Sequence, residues 1–178
     1  MSAYLLVLLA VASRIIPHAW LNFTAVGGSL LYFGARRRMR DAVLPLVAFA
    51  GVDYYLTTHF YGYPFHLQDY LITWTWYAAV MVLGHLLLRR RHSVGLVAGA
   101  SVLSATSFFL VSNFAVWAGS ALYPHTMAGL ATCYTVGLPY YRNDLISTVL
   151  VAGLAFGLPE VARVLREHRA APGGQAAA

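Results

Sequence analysis

The chain has 178 residues, 60% of them hydrophobic and only 10% charged, with a mean hydropathy of +0.64. An ordinary soluble domain, in which about a quarter of residues are charged, is excluded by that balance, and the long apolar runs make this an integral membrane protein. The net charge of +6 comes from arginine alone, with no lysine; because the arginines cluster between apolar runs, they are membrane-topology signals and not a nucleic-acid surface.

The first run, residues 3–16, is short and carries Arg14, which is expected at the membrane interface. Its MSAYLLVLLAVAS start has the apolar core and Ala-x-Ala spacing of a secretory signal but lacks a basic beginning, so it is taken as the first helix. Pro17 breaks it. The second run, 19–35, contains Asn22, Thr24 and the small residues Gly27, Gly28 and Ser29, which suit close helix packing in lipid. Arg36, Arg37, Arg38 and Arg40 follow. The third run, 42–58, contains Asp53. A loop, 59–68 (HFYGYPFHLQ), has turn residues Gly62 and Pro64 and an aromatic content suited to an interface. The fourth run, 70–88, opens with Trp74 and Trp76 and ends at Arg89, Arg90 and Arg91. The fifth, 94–117, is the longest. The sixth, 145–162, precedes Arg163, Arg166 and Arg169. Residues 1–169 form one transmembrane domain, and 170–178 (AAPGGQAAA) a disordered tail.

Positive-inside placement puts the clusters 36–40, 89–91 and 163–169 in the cytoplasm. Two runs separate the first two clusters. Between the second and third, the runs 94–117 and 145–162 supply the even number of crossings required. Residues 122–139 must then lie on the outer surface or re-enter without spanning. The expected fold is all-α: a polytopic protein of the inner (cytoplasmic) membrane with six transmembrane helices, both termini cytoplasmic, and a surface or re-entrant helix between helices 5 and 6.

On that topology the polar side chains gather in the outer leaflet. Arg14, His18, Asn22, Thr24, Asp53, Tyr61, His66, Trp74, Asn113, Trp117, Tyr134, Arg142, Asn143 and Asp144 are the candidate substrate-binding residues. An ionisable residue inside a membrane is costly and marks a site by default, and Asp53 is the sharpest case, with Arg14 or Arg142 as its expected partner. Bland accounts exist for each: an ion pair that only holds helices together, an aromatic belt, polar glue between helices. They do not explain why these residues share one leaflet.

No cofactor is expected. Gly27-Gly28 is too short for a phosphate loop, the outer histidines show no ligand spacing, and the single Cys133 excludes a disulfide or a multi-cysteine metal site. Cys133, His125 and Asp144 form no recognisable nucleophile–base pattern, so an enzyme using them is a minor alternative.

The stretches SRIIPHAWLNFTAVGGSLLYFGA (13–35), SFFLVSNFAVW (107–117), YPHTMAGLATCYTVGLPYYRND (123–144) and AFG (155–157) resemble a family of small prokaryotic membrane proteins of unknown function. Ala25 stands where that family usually has proline. The family in turn looks like the substrate-binding S components of energy-coupling-factor vitamin transporters. That resemblance implies six helices, an outward pocket under loops 1, 3 and 5, and an energising transporter partner. S components of that kind carry an Ala-x-x-x-Ala on helix 1, which residues 3–12 lack, so a solitary carrier is the other option. The expected function is uptake of a small water-soluble nutrient, vitamin-like or nucleobase-like, stacked on Trp74, Trp76, Trp117 and Tyr134. A structural or assembly subunit without a small ligand is the alternative.

Overall fold

Apolar runs bounded by arginines or by turn residues leave the backbone little choice but helix, since in lipid only an internally hydrogen-bonded segment satisfies its own peptide groups. The computed structural model describes residues 2–15 and 23–170, and those residues form helices with no strand. The helices are α1 (Ser2–Ile15), α2 (Val26–Arg36), α3 (Val43–Tyr55), α4 (Leu67–Leu88), α5 (Val94–Gly119) and α6 (Met127–Ala170). A short 3-10 turn, Met39–Ala42, leads into α3, and a π-helical turn, Leu56–Phe60, closes it. Ser93 caps α5 by accepting a hydrogen bond from the Leu96 amide.

α2 is the axis of the bundle. Every residue from Val26 to Ala35 is buried, although the helix is only 11 residues long. Glycine makes this possible. A Cβ on Gly34 would strike the Met81 backbone of α4, and a Cβ on Gly84 of α4 would strike the Leu31 backbone of α2. Gly28 presses in the same way on the Thr148 and Ala152 backbone of α6, and Gly27 lies against the Thr148 side chain. Close backbone approach through small residues is how helices pack without a hydrophobic drive between them. Around this axis Phe33, Phe49, Tyr77 and Met81 fill the core.

Among the described residues, three helices, α4, α5 and most of α6, are long and apolar enough to cross a membrane. α1 and α3 have 14 and 13 residues, and at about 1.5 Å per residue they fall short of the ~30 Å hydrocarbon core. By length, therefore, three of the six expected spans are present as such. Large apolar side chains such as Leu8, Val47, Leu86, Leu103, Leu110 and Leu154 stand on the outside, where a soluble protein of this size would be polar and lipid is the fitting solvent.

The separate surface or re-entrant helix expected over 122–139 does not exist. α6 runs unbroken for 44 residues through Pro139 and Pro159, about 66 Å at the usual rise. Its first half lies antiparallel against α5. The Tyr134 hydroxyl donates to the Leu110 carbonyl at 2.8 Å, Cys133 Sγ lies 3.4 Å from the Asn113 carbonyl oxygen, and the hydroxyls of Thr106 and Tyr141 are 2.9 Å apart. α5 and α6 therefore pack as one antiparallel hairpin.

Successive helices alternate in direction. Tyr4 at the start of α1 meets Arg37 just beyond α2, while Arg14 at the far end of α1 meets Asp53 near the end of α3. His92, just before α5, packs on Phe156, well along α6. Arg36 to Arg40 and Arg89 thus occupy one end of the bundle, and Asp53, Thr57 and Tyr70 the other.

Candidate functional site

Asp53 lies in the last turn of α3, one turn before the π-helical turn, with its side chain only 1% exposed. Arg14 Nη2 donates to its Oδ1 at 2.5 Å, and Trp74 Nε1 donates to its Oδ2 at 2.8 Å. Arg14 Nη1 donates to the Tyr77 hydroxyl at 2.5 Å, so one guanidinium ties α1 to both α3 and α4. A buried carboxylate without such partners would be strongly unfavourable, and both of its oxygens are served here. Arg14, expected at the interface, points inward instead, with 25% of its side chain exposed. Of the two partners anticipated for Asp53, Arg14 is the one it takes.

This ion pair forms the floor of a cleft of about 290 Å³, lined by Arg14, Thr24, Asp53, Leu56, Thr57, Tyr61, Tyr63 and Tyr70. The rim is built by the irregular end of α3. In the π-helical turn the Tyr61 amide bonds back to Leu56, and the Tyr63 amide reaches the Thr57 carbonyl at 2.9 Å. Wide turns of this kind recur at functional sites because they push side chains out of helical register. Gly62 then turns the chain with φ +71°, a backbone conformation that glycine adopts at little cost. Thr57 hydrogen-bonds the Asp53 carbonyl and shares a close contact with the Tyr70 hydroxyl. Phe65, Tyr70 and Trp74 stack in series behind this wall.

A second polar recess, of about 270 Å³, lies between α5 and α6, lined by Phe108, Phe109, Ser112, Asn113, Gly137, Tyr140, Tyr141 and Asp144. Asp144 is buried, and its Oδ2 has no hydrogen-bond partner among the described residues. Asn113 donates to the Phe109 carbonyl of its own helix at 2.8 Å, and a Cβ on Gly137 would strike its side chain. Tyr77, Trp76 and Phe108 form an aromatic bridge from the first cleft to this one, with ring centroids 5.8 and 4.5 Å apart.

The candidate residues therefore divide. Arg14, Thr24, Asp53 and Tyr61 line the first cleft, with Trp74 holding its floor. Asn113 and Asp144 line the second, while Arg142 and Asn143 border a neighbouring hollow beside Pro139. His66 is exposed just before α4 and lines neither. His18 and Asn22 lie outside the described residues, as does the tail from residue 171. The aromatics expected to stack on a ligand each brace another part of the bundle through a polar atom. Trp74 donates to Asp53, Trp76 to the Ser104 carbonyl, Trp117 to the Pro124 carbonyl and Tyr134 to the Leu110 carbonyl. The tyrosines facing the first cleft are Tyr61, Tyr63 and Tyr70.

Tyr70, Thr57 and Tyr77 were not among the sequence candidates. A helical-spacing signal for them existed: 70, 74 and 77 share one face of α4, as 53 and 57 share one face of α3. Cys133, His125 and Asp144 do not converge. Cys133 is buried against Asn113, His125 packs edge-on to Trp117, and Asp144 lies three helical turns beyond Cys133 along α6.

An all-α bundle with helices long and apolar enough to cross a membrane, a lipid-compatible surface and a buried ion pair under a polar cleft fits a membrane protein. The chain belongs to a family of unknown function, DUF6580, whose model matches residues 1–171. No curated protein and no solved structure matches the chain at a significant level.

Proposed function

We propose that this protein binds and carries a small, water-soluble, planar nutrient across the inner membrane, in the manner of a transporter's substrate-binding component. The observation that carries this reading is the Arg14–Asp53 pair: a charge pair at 1% exposure on the aspartate side, opening on a cleft of about 290 Å³ walled by tyrosine and threonine hydroxyls. That volume is at the low end for ligand sites, which suits a vitamin- or nucleobase-sized solute. Tyr61 and Tyr63 supply rings for a planar face, and Thr24 and Thr57 supply hydroxyls for its polar edge. Such hydroxyls discriminate, since a wrong ligand leaves them unpaired at about 1–3 kcal/mol each.

The arginine-rich end faces the cytoplasm and the cleft faces outward, with six helices crossing or partly crossing the bilayer and both termini inside. Movement of α1 and the 61–66 segment against α4 would close and open the cleft, powered by a partner transporter or by a solute gradient. The activity is one of binding and translocation, not of bond chemistry.

One observation favours a second reading. Both Asp53 oxygens are already satisfied, as they would be in a pure structural staple of an assembly subunit. Ligand-induced thermal stabilisation separates the two. Candidate vitamins and nucleobases are screened against the detergent-purified full chain. At least one should raise the apparent melting temperature, and Thr24→Ala or Tyr61→Ala should remove that rise while leaving the unliganded melting temperature within about 2 °C. No stabilising compound, or stabilisation indifferent to both changes, favours the staple.

A further inference from the structure

The opposite end of the bundle holds a second concentration of charge. Arg36 at the end of α2, Arg37 and Arg38 beyond it, Arg40 in the 3-10 turn and Arg89 beyond α4 surround a recess of about 420 Å³, with Asp41 as the one acid in its wall. Arg37 is held in place. It donates to the Tyr4 hydroxyl at 2.6 Å, its guanidinium sits 4.4 Å from the Tyr4 ring centroid, and its Nε is 3.5 Å from Asp41. Arg89 bonds His85, which in turn reaches the Gly34 carbonyl of α2. Arg36 lies over the rings of Tyr32 and Phe156.

Two ordinary causes put arginine here. Cations suit the C-terminal ends of α2 and α4, and they hold a cytoplasmic rim. Neither cause requires guanidinium groups from two separate turns of chain to converge on one hollow. Held together they repel one another, and a single carboxylate offsets one of five. The other basic cluster differs: Arg163 is already paired, with Glu160 at 2.5 Å and Glu167 at 2.7 Å along its own helix.

We propose that the Arg36–Arg40/Arg89 recess is a binding site for a phosphate-bearing anion. Guanidinium groups present forked donors that match phosphate oxygens two at a time, and several forks around one hollow form a cage and not a rim. The anion relieves the mutual repulsion and ties the α2–α3 connection to the end of α4. Because α2 is the bundle's axis, occupancy at this end stiffens the helix whose other end leads to the outward cleft. A phospholipid headgroup and a soluble phosphate share this chemistry.

The full chain is purified in neutral detergent and given phosphatidylglycerol in one arm and inorganic pyrophosphate in the other, with phosphatidylcholine as the uncharged-headgroup control. Bound species are counted by native mass spectrometry, and apparent affinity is read from thermal shift. Wild type should bind in at least one anionic arm and not with phosphatidylcholine; the arm that binds names the source. Arg38→Gln/Arg40→Gln should weaken that binding at least tenfold, and Arg89→Gln, reaching the recess from α4, should weaken it independently. Arg163→Gln/Arg166→Gln removes the same charge outside the recess and should leave binding within twofold. Binding in neither arm, or equal weakening by the inside and outside pairs, overturns the proposal.

Discussion

Removing both members of the Arg14–Asp53 pair should cost clearly less than the sum of removing each one alone. Arg14→Met leaves the Asp53 carboxylate, 1% exposed, with Trp74 Nε1 as its one remaining donor, and takes the donor from the Tyr77 hydroxyl. Breaking a buried pair in this way costs about 3–5 kcal/mol. Asp53→Asn keeps the shape and leaves Arg14 partly exposed on the cleft, so its cost belongs near about 1–3 kcal/mol. Arg14→Met/Asp53→Asn removes both charges, and a coupling of about 1.5–3 kcal/mol should return relative to the summed single changes. For a chain of this length, about 2–4 °C of melting temperature corresponds to 1 kcal/mol, so Arg14→Met should lower the apparent value by about 6–20 °C. The assay is thermal unfolding of each purified full-length variant in one detergent, without ligand. Additivity within about 0.5 kcal/mol would refute the view that these side chains act as one buried unit.

Other outcomes follow from the same geometry. Gly34→Val and Gly84→Val place side-chain atoms on the facing backbone of α4 and α2, so each should lose at least about 1–3 kcal/mol, while Gly51→Ala, with open space around it, should be neutral or slightly stabilising in the same melt. Trp74→Phe keeps the ring but removes a donor to Asp53, and should lower the melting temperature by the equivalent of about 1–3 kcal/mol without affecting membrane insertion. In a Cys133→Ser background, single cysteines at exposed positions Tyr63 and Leu122 should react with an impermeant maleimide on intact cells, and one at Val94 only after permeabilisation. The reverse pattern, or all three reacting alike, would contradict the proposed sidedness.

Much of the fold was legible because lipid simplifies the choice. The apolar runs at 70–88 and 94–117 match α4 and α5 to within three residues at each end, since arginine triplets and turn residues bound them. Asp53 was legible as a buried acid because a charge in that setting needs a partner, and Arg14 was one of few available. The 122–139 segment was misjudged for an equally physical reason. Its tyrosines, threonines and cysteine are too polar for lipid, and Pro139 signals a boundary. The sequence cannot show that α5 absorbs this polarity: Leu110 and Asn113 carbonyls accept from Tyr134 and Cys133, and Thr106 pairs with Tyr141. A half-polar stretch turned out to be a helix seam. The division of the candidate residues into two clefts was hidden likewise, because it depends on which faces of α5 and α6 meet.

The α3 terminus shows how irregularity and site coincide. The π-helical turn cannot be read from LTTHF, yet it sets Thr57, Tyr61 and Tyr63 around the ion pair. Without it, a regular helix would continue past Asp53 and rotate those side chains to other faces.

The claim on which the account rests is that the Arg14–Asp53 cleft holds a guest. Protein purified from its native membrane is denatured, and the small molecules released are identified and counted by mass spectrometry. Wild type should release one compound, planar and polar, at close to one per chain after background subtraction, and Tyr61→Ala/Thr24→Ala purified identically should release little of it. Equal release from both proteins, or lipid and detergent alone from wild type while cognate compounds were present during growth, would contradict the account.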